Sequence, residues 1–301
     1  AYPSDIAGIH LDRTEVAQIA EWILSADTKE RLGMLLDQPG GGKTVVMRDV
    51  LERLEAADVP VLAIKADTLS GVKTRDDLAD RLGLPTTVEE CARYLVTEGP
   101  FVVILDQLDA LSLTLSRDQA TLDVMLSTLA RLRDLDGVRT VASCRTFDLN
   151  NVHRLSTLKI DRRFQLHPLD ESQVRQVLAA IGIDPARLLP AHRKLLSVPL
   201  HLQIYAQVVA SSGSKDAPES FRTLQELYET LWQSRVEAVL PGAPPPPKRI
   251  AAIYRLVETM QTRRQLAVPE AVLDEYPEAA NYLRQVGFMR REGSNWLFLH
   301  Q

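Results

Sequence analysis

One stretch narrows the folds open to this chain more than any other. Leu32–Asp37 is a strand candidate, apolar through Leu36, and Gln38-Pro39-Gly40-Gly41-Gly42 cannot prolong it. From Lys43 onward Val46, Val50 and Leu54 recur every fourth residue, with Met47 and Leu51 beside them, which is one apolar helical face. Strand, glycine turn and helix in immediate succession form a βα unit, and the pattern repeats. Further strand candidates are Val59–Lys65, Phe101–Asp106, Val138–Cys144 and Arg163–Leu166; helical patterns occupy Thr14–Leu24, Asp76–Leu82, Thr87–Leu95 and Gln119–Leu135. Such alternation specifies a parallel α/β sheet. Phe101-Val102-Val103-Ile104-Leu105 is the continuous apolar run expected of a strand covered on both faces.

The pattern changes after His167-Pro168-Leu169-Asp170. From Glu171 to Leu240 only helical periodicity is present, interrupted near Gly182–Pro185 and by the polar stretch Ser211–Glu219. The run Pro241-Gly242-Ala243-Pro244-Pro245-Pro246-Pro247 reads as a stiff extended linker. Beyond it lie helical patterns at Ile250–Thr262 and Glu278–Val286, then Phe288–Arg291 and Trp296–His300 flanking the turn Glu292-Gly293-Ser294-Asn295. Helices followed by a two-stranded hairpin suggest a winged helix. Three domains are expected: an α/β sheet domain over 1–167 that contains the glycine turn, an all-helical lid domain over 168–240, and a winged-helix domain over 248–301.

The glycine turn has the context of a phosphate-binding loop. Glycines let successive N–H groups point inward as an anion nest, and the helix that follows adds its partial positive charge. Pro39, Gly40, Gly41 and Gly42 would surround the phosphates, Lys43 would reach their outer oxygens, and the Thr44 hydroxyl would ligate Mg²⁺. The usual pattern G-x-x-x-x-G-K-[ST] opens with glycine, where this chain has Asp37. A second element is Asp106-Gln107-Leu108-Asp109, two carboxylates at the end of an apolar strand, where open parallel sheets bind ligands. Asp106 would hold Mg²⁺ through water and Asp109 would orient or deprotonate the attacking water. A third is Arg145 at the end of Val138–Cys144: it either reaches the γ-phosphate or pairs with Asp148. Cys144 reads as a buried small residue. Guanine recognition would want Asn-Lys-x-Asp; Leu158-Lys159-Ile160-Asp161 lacks the asparagine, so the expected cofactor is ATP or ADP with Mg²⁺.

Composition bounds the partners. The chain has 301 residues, 45% hydrophobic and 25% charged, with 35 Lys and Arg against 40 Asp and Glu. A net charge of −5 does not supply the clustered basic surface of a general nucleic-acid binder, so nucleic acid is not expected as a partner. Two cysteines suit a reducing compartment, and no apolar run approaches the ~20 residues that span a bilayer. A soluble, cytoplasmic protein is expected.

Asp37–Thr44, Ile104–Asp109, Ser143-Cys144-Arg145-Thr146-Phe147-Asp148 and Val198-Pro199-Leu200-His201-Leu202 together resemble the STAND class of signal-transduction ATPases, which is related to AAA+ proteins and includes the NACHT group. The resemblance runs from about Ile9 to the last residue. It implies that Ile9-His10-Leu11-Asp12-Arg13 closes over the adenine, that Pro199 contacts base or ribose, and that His300 reaches the β-phosphate of ADP. By the residues alone the plainer readings lead: Arg13 as a solvated charge, Pro199 as a helix start, and His300 as a structural histidine. The NACHT pattern carries a further acidic residue after the second aspartate, where Ala110 stands, so the implied hydrolysis is slow. The resemblance implies an ADP-closed switch that oligomerises with ATP, the effector and sensor regions belonging to a longer chain, in bacterial defence or regulation. The alternatives are an AAA+-like remodelling or loader ATPase and a winged-helix DNA-binding regulator, for which Arg284, Arg290 and Arg291 supply local positive charge.

Overall fold

A computed structural model describes residues 5–25, 29–69, 71–96, 100–113, 120–212, 223–263, 265 and 267–298. Tertiary contacts divide them into two units, Asp12–His167 and a second formed by Asp5–Leu11 with the chain from Pro168 on.

The first unit runs α1 (Thr14–Leu24), β1 (Leu32–Asp37), α2 (Lys43–Glu55), β2 (Val61–Lys65), α3 (Arg75–Leu82), α4 (Val88–Leu95), β3 (Phe101–Asp106), α5 (Ala110–Leu113), α6 (Ala120–Arg133), β4 (Val138–Arg145), α7 (Thr146–Asn151), α8 (His153–Ser156) and β5 (Arg162–Gln165). The strands form one parallel sheet in the order β2-β3-β4-β1-β5. Because side chains alternate along a strand, the inner strands β1, β3 and β4 feed two cores. Leu32, Met34 and Leu36 of β1, Phe101, Val103 and Leu105 of β3, and Ala142 and Cys144 of β4 pack with α3, α4 and α6. Leu35, Val102, Ile104 and Val141 point the other way, onto Ile19 and Trp22 of α1 and Val46, Met47 and Val50 of α2. The expected strands are all present; the second begins at Val61, the fourth continues to Arg145, and the fifth is Arg162–Gln165.

Asp161 fastens the opposite edge of the sheet. Its carboxylate accepts from the backbone N–H of Arg31 and Leu32 and from Arg133 at the end of α6. Burial pushes this carboxyl up, but Arg133 and the two N–H groups prevail and hold it at about 2. The nearest approach to a guanine-reading element therefore spends its acid on tying β1 and β5 to α6.

The second unit contains α9 (Glu171–Ala180), α10 (Pro190–Leu196), α11 (Pro199–Ser212) and α12 (Leu224–Trp232), extended by a π-helical turn at Gln233–Glu237. Ile6 and Leu11 share their core with Leu178, Leu202, Tyr205 and Leu227. The proline run departs from expectation: Pro246 opens α13 (Pro246–Arg263) instead of continuing an extended linker, because proline's fixed φ and missing N–H suit a helix's first turn. A short β6 (Val268–Pro269), α14 (Pro277–Gln285), β7 (Met289–Glu292) and β8 (Asn295–Phe298) complete a winged helix whose sheet order is β6-β8-β7. The sequence shows no sign of β6; two residues are too few for a periodicity. The polar stretch expected at Ser211–Glu219 falls mostly outside the described residues.

Fully buried Arg249 of α13 donates to the carbonyls of Arg235 and Ala238 and stacks on Tyr282, 5.1 Å from the ring centre. It thereby closes the carbonyl end of the π-helical turn, where helices leave acceptors free. No helix is long and apolar enough to cross a membrane among the described residues.

Candidate functional site

The carboxyl edge of the parallel sheet gathers the polar residues, and register explains which ones. Leu105 pairs with Ala142, so Asp106 and Ser143 follow as neighbours; Asp37 pairs with Arg145, and Lys65 with Asp106. Parity sets the face: Ser143 follows Val141, and Asp106 follows Ile104, on the side covered by α2.

The loop between β1 and α2 turns through Gly40 (φ 82°) and Gly42 (φ 98°), a backbone region that side chains disfavour. No side chain caps α2 at Gly42, and its first turn contains no acid. In contrast, α3, α9 and α12 each begin with a reciprocal capping box, on Thr74, Asp170 and Thr223. α1, α4 and α14 also begin without a side-chain cap, so what sets α2 apart is the glycine turn that leads into its free N–H groups, a backbone suited to an anion. Lys43 folds back over the loop, its Nζ 3.3 Å from the Asp37 carbonyl oxygen and 3.0 Å from that of Gln38. Burial lowers the pKa of this amine, against the pull of Asp37 and Asp109.

Asp106 is buried. Its Oδ1 accepts from Ser143 Oγ at 2.5 Å, and the Thr44 hydroxyl bonds the same carboxylate. Burial raises its pKa, and the bonds from Ser143 and Thr44 oppose that rise. Gln107 adopts φ 61°, in the left-handed region, which costs a non-glycine residue about 1–2 kcal/mol. It is held there by its own N–H donating to Ser143 Oγ (2.8 Å), by Leu108 N–H donating to the Ser143 carbonyl (2.9 Å), and by Nε2 lying 3.3 Å from Thr44 Oγ1. Ser143 thus organises the end of β3, and the reading by motif passes over it. Its signal lies in its parity with Arg145 on an apolar strand.

Arg145 pairs with Asp109, not with Asp148. Its backbone N–H donates to Asp109 Oδ1 at 3.1 Å, and its Nε lies 3.0 Å from Oδ2. Asp148 is buried close by, with a carboxyl raised by burial and then by the Asp109 charge. The Cys144 thiol faces the other core and is pushed up to about 12, chiefly by burial, which fits an inert residue. Arg13 donates to the His167 carbonyl and lies 3.6 Å from Glu15, whose Oε1 accepts from His167 N–H. Pro199 begins α11 in the second unit, half-buried; His300 lies outside the described residues. The structure therefore brings together Pro39–Thr44, Asp106, Asp109 and Arg145 within the first unit.

Among the described residues no three His, Cys, Asp or Glu side chains gather as a metal site. A cation at this edge would rest on the hard oxygens of Thr44 and Asp106 together with those of a ligand and water, a donor set that fits Mg²⁺.

Fold and site together define a P-loop α/β domain followed by helical and winged-helix regions. No family model and no curated protein matches the chain. Solved structures that it is similar to include the Orc1 protein of Aeropyrum pernix in complex with DNA, at 16% identity and a TM-score of 0.45 over 95% of this chain and 88% of that one. The ORC2 protein of Aeropyrum pernix, described as ADPNP–ADP complexes, is 14% identical with a TM-score of 0.46 over 97% and 90%. Cdc6p from Pyrobaculum aerophilum is 14% identical, with a TM-score of 0.39 over 99% and 92%. Similarity this remote carries no argument about the site, which rests on the chain's own residues.

Proposed function

We propose that the chain is an AAA+-related P-loop module that binds ATP or ADP with Mg²⁺ and hydrolyses ATP slowly. The observation that supports this reading is the uncapped start of α2 beside the buried set Thr44, Asp106 and Ser143. Loop N–H groups from Gly40 to Thr44 would hold phosphate oxygens, and Lys43 would exchange the carbonyls of Asp37 and Gln38 for them. Thr44 and Asp106 would hold Mg²⁺, which supplies charge neutralisation on the phosphates when bound. Adenine is favoured because Asp161 is engaged in fastening the sheet.

The Asp109–Arg145 pair supports slow turnover. Both Asp109 oxygens are engaged by Arg145, one by its backbone N–H and one by Nε, so the proton-accepting group is shared with a cation before any water reaches it. Arg13, Pro199 and His300 join the site only through the STAND resemblance, and faster ADP release from His300→Ala is the check on the last of them.

What turnover drives divides the readings. The STAND resemblance implies a signalling switch that closes on ADP and assembles with ATP; the other reading is a remodelling or loading ATPase. Nucleic acid is an outcome of the test under either reading, one of the similar structures being a DNA complex. Salt-dependent binding to duplex DNA and ATP-dependent assembly of the full-length protein separate the two. The test of the core reading is thermal stability of a nucleotide-free preparation. Mg²⁺·ATP at a hundred times its Kd should add about 2.7 kcal/mol, GTP less, and Lys43→Ala should abolish most of the gain. No shift in melting with millimolar ATP or ADP would overturn it.

A further inference from the structure

The departure at the first position of the loop has a structural counterpart four residues later. The pattern G-x-x-x-x-G-K-[ST] requires glycine at the positions of Asp37 and Gly42 and leaves Gly41 unconstrained. The Asp37 carboxylate nonetheless occupies the space of a side chain at Gly41: a Cβ built there would lie 1.3 Å from Asp37 Oδ2, so any larger residue has to push this carboxylate aside. The glycine missing at 37 and the additional glycine at 41 are thus a matched pair, and together they seat a carboxylate against the phosphate loop. Asp37 also accepts from the N–H of Gln38. The charges facing it are Lys43 from α2, Arg13 and Glu15 from the start of α1, with His167 on Glu15, and Arg145 as its register partner on β4. Lys43 and Arg13 attract the carboxylate, Glu15 repels it, and burial disfavours its charge.

We propose that the Asp37 carboxylate, seated over Gly41, is an internal anion that competes with nucleotide phosphate for the loop and so sets the affinity of the site. It supplies a negative partner to Lys43 and the loop when no ligand is present, and a phosphate group must either displace it or bind beside it. A glycine at this position imposes neither cost. The inference rests on the nucleotide-binding reading above and concerns how tightly that site holds its ligand.

The experiment measures the affinity of Mg²⁺·ADP for nucleotide-free wild type, Asp37→Asn and Asp37→Gly at low and high salt. Asparagine keeps the shape and removes the charge; glycine restores the usual residue. Both variants should bind ADP about tenfold or more tightly than wild type at low salt. The gap should narrow as salt screens the repulsion. Gly41→Ala should destabilise wild type and be better tolerated in the Asp37→Gly background, because the atom it collides with is gone. Wild type that binds ADP while both Asp37 variants bind it equally or more weakly overturns this inference alone. Wild type that does not bind ADP removes the nucleotide-binding reading and this inference with it.

Discussion

Ser143→Ala is the sharpest probe of the carboxyl edge, because this fully buried hydroxyl serves two neighbours at once. It donates to Asp106 Oδ1 at 2.5 Å and accepts the Gln107 N–H at 2.8 Å. The first is a bond to a carboxylate, worth roughly 1.5–3 kcal/mol, and the second leaves a buried N–H unpaired, costing roughly 1–3 kcal/mol. The two share one oxygen and do not add fully, so the expected loss is about 3 kcal/mol. Part is recovered when Gln107 relaxes from its left-handed backbone. Asp106 then keeps the Thr44 bond but loses the donor that fixes its orientation, and removing a group that holds a metal ligand costs about 10–100-fold in metal affinity. The assay is denaturant unfolding for stability, followed by ATP-dependent thermal stabilisation titrated with Mg²⁺. The Mg²⁺ midpoint should rise by that factor while stabilisation at saturating Mg²⁺ is largely restored. Ser143→Thr, which keeps a hydroxyl, should shift the midpoint less. An alanine variant as stable as wild type with an unmoved midpoint would refute the account.

Other outcomes follow from the same geometry. Asp106→Asn should abolish most Mg²⁺-dependent stabilisation by ATP, whereas Asp109→Asn should leave nucleotide binding intact and lower hydrolysis, with about 10²–10⁴-fold as the ordinary span for a proton-transfer role and slow basal turnover compressing it; equal loss of binding in both would remove the division. Asp161→Asn should cost about 1–2 kcal/mol near neutral pH by unfolding, allowing for the partial exposure of Arg133. The carboxyl is depressed from 3.8 to about 2 in the fold, so this stabilisation is present above pH 3.8 and is lost as pH falls through about 2; a wild-type advantage that varied between pH 5 and 7 would point elsewhere. Arg249→Ala should destabilise the second unit strongly, by about 3 kcal/mol, since it removes a fully buried side chain and takes the donor from the carbonyls of Arg235 and Ala238; differential hydrogen exchange of α13 and the π-helical turn would show the loss there.

The sequence carries the parts of the site that are contiguous and omits those that the sheet assembles. Leu32–Asp37, the glycine turn and the face of Val46, Val50 and Leu54 are local, and they fold as read, as do Phe101–Asp106 and its terminal carboxylate. Ser143 is beside Asp106 only because β4 lies between β1 and β3, and strand order is a long-range property that no periodicity records. The same limit explains the partner of Arg145: Asp148 is three residues away along the chain, yet Asp109 is delivered by the neighbouring strand. Proline misleads for a different reason, since one residue type both stiffens extended linkers and starts helices, and only the helix that follows, with Ile250, Ile253 and Leu256 on one apolar face, decides between them. Asp161 has a role that the motif does not record: the segment already lacks the asparagine of a guanine-reading element, and its acid meets Arg133 and two strand N–H groups. Chemical roles at this edge are therefore fixed by register more than by motif: shifting β4 by one residue would turn Ser143 and Arg145 into the α6 core and bring Cys144 to Asp106, leaving the phosphate loop intact and the carboxylate without its donor.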